Sequence, residues 1–167
     1  MPKNRAVCTV CATIVGVDES VAEYHKVYYH LCSDQCKETF LAHPRLYTGK
    51  PGTERRVQIK CRMLKMEKTM SANEKAVTSD HLLHLVGVKK VDIKGSHLYV
   101  TYDLLQITEI QIEKALQEAG AKLGGNWLHK LNRAWIHYSE ETELDNLAAP
   151  STPCCNHPPP GSTKPSR

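Results

Sequence analysis

The chain has 167 residues, 41% of them hydrophobic, and 22 basic against 18 acidic side chains leave a formal net charge of +4. That length can bury a core in one domain or two small ones, and its interspersed charges show no long basic run of the kind that marks a nucleic-acid footprint. No stretch reaches the roughly 18 consecutive apolar residues of a membrane helix, and the N-terminus MPKNRAVCTV lacks the apolar core of a secretory signal. The expected compartment is therefore the cytoplasm, where seven cysteines point to metal ligation or thiol chemistry in place of a disulfide framework.

In chain order, the first pattern is Cys8-Thr9-Val10-Cys11 followed by Cys32-Ser33-Asp34-Gln35-Cys36. These are two short chelating pairs whose four thiolates fit a tetrahedral shell. Zinc favours such closed sulfur shells in structural roles, and Cu+ or another soft heavy-metal ion competes for the same ligands. Ile14, Val15 and Val17, then Val27, Tyr28 and Tyr29, read as two short strands. Ser33 is placed to cap a helix with Cys36 in its first turn, where backbone N–H groups favour a thiolate, and Phe40 and Leu41 give that helix something to pack. A cluster this small needs the metal to fold, at about 10 kcal/mol or more for structural zinc. The spacing specifies binding but not purpose, so a passive zinc staple and active metal handling both remain open.

Cys8-x2-Cys11, then Tyr28-Tyr29-His30-Leu31-Cys32-Ser33-x2-Cys36, then Phe40, Pro44 and Tyr47, resemble the TRASH or YHS domain. That treble-clef-like module occurs in heavy-metal sensors, transporters and trafficking proteins. The resemblance covers residues 6–48 and implies a metal-binding domain over 1–48 with Cys8, Cys11, Cys32 and Cys36 as ligands. The family commonly carries an aromatic directly before its third cysteine, where this chain has Leu31, and His30 beside it is a further candidate ligand.

Thr48-Gly49-Lys50-Pro51-Gly52 ends the first unit. Val57, Ile59 and Cys61 then alternate with polar residues as in a half-buried strand, which makes Cys61 a buried, inert thiol. Ser71-Ala72-Asn73-Glu74 has the form of a capping box opening a helix that stops at Gly87. Val88–Ile93 and Leu98–Tyr102 read as a hairpin turning at Gly95 and Ser96. Thr108 with Gln111 opens a second helix, Ile112, Ala115, Leu116 and Ala119 give it an apolar face, and Gly120 closes it. Ala121–Leu123 can begin a last strand, completing the ferredoxin-like order β-α-β-β-α-β.

The segments Gly87–Ile93, Val100–Asp103 and Ile112–Gly120 resemble the heavy-metal-associated domain of copper chaperones and metal-transporting P-type ATPases, here over 55–126. That family holds its ion on Cys-x2-Cys between the first strand and first helix. Ala72 and Lys75 occupy those positions, so the resemblance implies a retained fold with a lost site. Met66 and Met70 read as core or loop methionines, and His81 and His84, one helical turn apart, as a solvated or partner-facing pair.

Trp127, Leu128, Leu131, Ala134, Trp135 and Tyr138 recur at helical spacing. They predict a C-terminal helix over 127–148 whose apolar stripe meets the preceding domain, the favoured reading, or another protein, with Ser139 placed to end or recap it before Glu140 and Glu141. Residues 149–167 form a Cys/Pro-rich tail expected to be disordered, in which Cys154, Cys155 and His157 are candidate secondary ligands.

The expected fold is α+β: a small treble-clef-like zinc-binding unit, a ferredoxin-like unit and a C-terminal helix. The expected function is intracellular heavy-metal binding for trafficking, sequestration or metalloenzyme maturation, with an adaptor holding a purely structural zinc as the alternative. The partners implied are the metal ion and a metal acceptor or metalloenzyme, with neither nucleic acid nor membrane insertion. An enzyme is not expected, because a four-thiolate shell keeps no open position and neither a phosphate loop nor a nucleophile motif is present.

Overall fold

The computed structural model describes residues 5–16, 20–48 and 57–149. Val17, residues 49–52 of the proposed boundary, and the tail with Cys154, Cys155 and His157 lie outside the described residues.

The first unit is built from two antiparallel pairs and one helix. Strand β1 (Arg5–Val7) pairs with β2 (Ile14–Gly16), and β3 (Ser20–Tyr24) pairs with β4 (Val27–Leu31). Helix α1 (Asp34–Ala42) starts at Ser33, whose Oγ accepts from the Cys36 N–H at 3.3 Å, and it ends at a 3-10 turn over Pro44–Leu46. Phe40 is fully buried, with the rings of Tyr29, Tyr47 and Tyr24 centred 4.9, 6.1 and 6.4 Å away. Leu41 does not share that packing. It lies about 100° further round the helix and is exposed.

The larger unit has strand β5 (Ile59–Lys65), helix α2 (Ala72–Leu83), strands β6 (Val88–Lys94) and β7 (His97–Asp103), and helices α3 (Glu109–Glu118) and α4 (Trp127–Ala148). Capping boxes open α2 at Ser71–Glu74 and α3 at Thr108–Gln111. The sheet is antiparallel in the order β5-β7-β6. Its core joins Leu64, Leu98, Val100 and Tyr102 to Leu82 of α2 and Leu116 of α3. In place of the expected last strand there is one bridge, Met66 with Leu123. Pairing stops there because Gly124 and Gly125 turn the chain into α4. A Cβ on Gly124 would stand 2.6 Å from the Met66 carbonyl oxygen, so the chains approach too closely for any other residue.

Strand β5 faces opposite to the sequence expectation. Ile59, Cys61 and Met63 point outward and are exposed, whereas Leu64 and Met66 are buried and Lys60 and Arg62 half-buried. Cys61 is therefore an exposed thiol. The reason is long-range: α4 lays acidic side chains over the inner end of β5. Lys60 Nζ meets Glu143 Oε2 at 2.6 Å, and Gln58 Nε2 donates to Glu143 Oε1 at 2.6 Å. Arg62 Nε lies 3.5 Å from Glu140 Oε1. These ion pairs reverse which residues of an alternating strand are covered.

Helix α4 shows the same inversion. It runs unbroken through Ser139, whose hydroxyl donates to the Ile136 carbonyl at 2.9 Å, so that serine neither ends nor recaps it. The apolar stripe faces away from the protein: Trp127, Leu128, Leu131, Ala134, Trp135 and Tyr138 are all exposed. What α4 buries is Glu140 and Leu144, with Arg133 and His137 half-buried. Glu140 accepts from the Tyr102 hydroxyl through Oε1 and from the Glu109 backbone N–H at 2.9 Å through Oε2, joining α4 to the sheet and to the start of α3. No helix among the described residues is long and apolar enough to cross a membrane.

Candidate metal centre

The first chelating pair sits on a tight turn. The Cys8 N–H donates to the Thr13 carbonyl at 2.8 Å and the Ala12 N–H to the Cys8 carbonyl at 2.9 Å, which folds Thr9–Ala12 back on itself. Closing this turn puts Ala12 at φ 62, a left-handed conformation that costs a non-glycine residue about 1 kcal/mol. The Thr9 N–H reaches the His30 carbonyl at 3.0 Å, so the turn is held against the end of β4, next to Cys32. The second pair spans the start of α1, with Cys32 just before the cap and Cys36 in the first turn.

These elements bring Cys8, Cys11, Cys32 and Cys36 together, with all four sulfurs within 4.8 Å of one another. Cys11 and Cys32 lie 3.3 Å apart and Cys32 and Cys36 3.5 Å apart. A tetrahedron of about 2.3 Å zinc–sulfur bonds has edges of about 3.8 Å, so this spacing can close on one ion with shifts of at most about an ångström. The four are free thiols, well beyond the about 2.05 Å of a disulfide.

The shell is asymmetric. Cys8 and Cys36 are buried, whereas Cys11 and Cys32 are half-exposed at its outer side. For Cys11, burial raises the thiol pKa, but hydrogen bonds from the Thr13 side chain and backbone outweigh it and bring it down to about 7. Burial, together with the neighbouring Cys11 sulfur, pushes Cys32 up to about 11. Burial and the Cys32 sulfur push Cys36 higher still. Of Cys11, Cys32 and Cys36, Cys11 therefore loses its proton first, as expected of clustered thiols in which one thiolate disfavours the next.

Other candidates fall elsewhere. His30 is not in the sulfur cluster; it stands on β4 with its Nδ1 buried and no hydrogen-bond partner. Met66 is a core residue and Met70 packs against the same core. His81 and His84 are exposed, the latter with Nδ1 2.7 Å from the Asp80 carbonyl oxygen. Ala72 is exposed at the first turn of α2 and Lys75 half-buried. Thr13 was missed by the sequence reading, although a hydroxyl two residues after a cysteine is a plain signal for a thiolate partner: it lies 3.2 Å from the Cys11 sulfur. Gln35 was missed too. It sits between Cys32 and Cys36, yet its side-chain amide donates to the Val86 carbonyl at 2.7 Å and accepts from the Val86 N–H at 3.1 Å, keying the first unit to the larger one.

The arrangement is that of a four-cysteine cluster compatible with metal binding. Compared with protein-family models, curated proteins and solved structures, the chain has no significant match to any of them.

Proposed function

We propose that this chain binds a thiophilic metal ion, zinc before Cu+ or another soft heavy metal, on Cys8, Cys11, Cys32 and Cys36. On this reading it handles that ion inside the cell, in trafficking, sequestration or the maturation of a metalloenzyme. The observation that carries the reading is the asymmetry of the shell: a purely structural site gains from full enclosure, whereas the half-exposed Cys11 and Cys32 leave an approach for an incoming thiolate. The TRASH/YHS resemblance of residues 6–48 supports it. The β-α-β-β-α order and the β5-β7-β6 sheet support a ferredoxin-like unit of the heavy-metal-associated kind, with Ala72 and Lys75 where its cysteines would stand. The role proposed is non-catalytic and cytoplasmic, without nucleic acid.

A second reading, an adaptor whose zinc is only structural, is favoured by the exposed stripe of Trp127, Leu131, Trp135 and Tyr138 on α4. Transfer kinetics separate the two. The metal-handling reading expects a competing thiol chelator to withdraw the ion from the native protein while the β5-β7-β6 sheet keeps its amide protection. Release only on global unfolding would decide for the adaptor.

A further inference from the structure

Beneath α4 lies a second group of donors that the sulfur site does not use. Glu109 and Glu113 project from successive turns of α3, and His137 projects from the facing side of α4. Their ligand atoms all lie within 4.8 Å of one another. Glu109 Oε1 and Oε2, Glu113 Oε1 and His137 Nε2 are among the buried side-chain atoms without a hydrogen bond, with Arg62 Nε beside them. Glu109 is 1% exposed, so water does not satisfy it. Such atoms are costly to bury, and native interiors rarely gather several in one place without a ligand.

The neighbouring charges leave room for a cation. Arg62 Nε stands 3.8 Å from Glu109 Oε2, and Arg133 Nε 3.2 Å from Glu113 Oε1. His137 Nε2 lies 3.4 Å from the same Glu113 oxygen. Glu140 has both oxygens engaged, by the Tyr102 hydroxyl and the Glu109 N–H, which makes it a support for Glu109 and not a ligand. Three carboxyl groups, Glu109, Glu113 and Glu140, thus face two guanidinium groups, Arg62 and Arg133.

We propose that the crevice between α3 and α4 is a second metal site, in which Glu109, Glu113 and His137 hold one divalent cation of the oxygen/nitrogen-preferring class: Mn2+, Fe2+ or Zn2+. Two carboxylates and an imidazole suit these ions and not Cu+. Bonds of about 2.0–2.2 Å require the three donors to draw in by less than about an ångström each, within the reach of side-chain torsions. The ion would also tie α4 to α3, since its ligands come from both.

The test uses the full chain with its thiolate site filled by one equivalent of zinc, and Mn2+ as the probe, because Mn2+ has little affinity for sulfur shells. Titration followed by loss of the free Mn2+ electron-paramagnetic-resonance signal should give one bound ion per chain, with nitrogen hyperfine coupling from one imidazole. Glu109→Gln, Glu113→Gln and His137→Gln should each weaken binding at least tenfold, and His137→Gln should remove the nitrogen coupling. All three variants should keep their one equivalent of zinc on the thiolates, which keeps the outcome separate from that of the sulfur site. No bound Mn2+ in the zinc-loaded wild-type chain, no nitrogen coupling, or unaltered affinity in the three variants would overturn the proposal.

Discussion

At Ala12, His25 and Lys26 the backbone takes φ values of 62, 51 and 63, and none of these residues is a glycine. His25 and Lys26 are the two turn residues between β3 and β4, where left-handed conformations match the twist of the hairpin and Asn-Gly is the favoured pair. Lys26→Gly should therefore raise the stability of the metal-loaded protein by about 1 kcal/mol, read as a higher urea midpoint at unchanged slope. A lower midpoint would show that the lysine side chain matters more than the backbone strain. Gly87 is the opposite case: at φ +100, an added Cβ would sit 2.7 Å from Gln106 Cβ. Gly87→Ala should cost about 3 kcal/mol by the same measurement. Among the thiols, the low Cys11 value and the raised Cys36 set an order of reaction. In metal-free protein near pH 7.5, iodoacetamide should label Cys11 before Cys32 and Cys36, and lowering the pH through about 7 should slow Cys11 as its thiolate is lost. Equal labelling at all three would remove the hydrogen bonds of Thr13 as the cause.

The elements whose signals are local were legible in the sequence. Ser33, Ser71–Glu74 and Thr108–Gln111 mark helix starts because a cap is satisfied within one turn, and Gly95–Ser96 marks a two-residue hairpin for the same reason. The Cys-x2-Cys and Cys-x3-Cys spacings likewise carry their own geometry. What was not legible is the choice of face. On β5 and α4 the apolar pattern pointed to the wrong side, since Lys60, Arg62, Glu140 and Glu143 satisfy one another across more than seventy residues and bury a polar seam instead. Periodicity reports that a helix has two faces, and pairing partners decide which one is covered. This account makes Leu144 the apolar anchor of α4. Leu144→Ala should cost about 2–5 kcal/mol, whereas Leu131→Ala and Trp135→Ala should stay within about 0.5 kcal/mol of wild type in urea unfolding. Comparable losses at Leu131 and Leu144 would mean that the stripe is packed in solution.

Across the molecule, the first unit and the larger unit are joined through the segment between Cys32 and Cys36. Gln35 holds the Val86 backbone by two hydrogen bonds, and Tyr47 donates to the Leu105 carbonyl at 2.7 Å. Because Gln35 lies on the first turn of α1, which the metal fixes through Cys32 and Cys36, removing the ion should loosen this connection before it affects the sheet. Hydrogen exchange should show the Val86 amide losing protection on chelation while Val100, buried in the central strand β7, keeps its own. Unchanged exchange at Val86 would mean that the two units do not communicate through Gln35.

Whether four thiolates hold a single ion can be read from X-ray absorption at the zinc edge of the full chain carrying one equivalent of zinc. The first shell should hold four sulfur scatterers at about 2.3 Å, reduced to three with one lighter atom in Cys11→Ser. A wild-type shell dominated by oxygen and nitrogen, or zinc left free in solution, would contradict it.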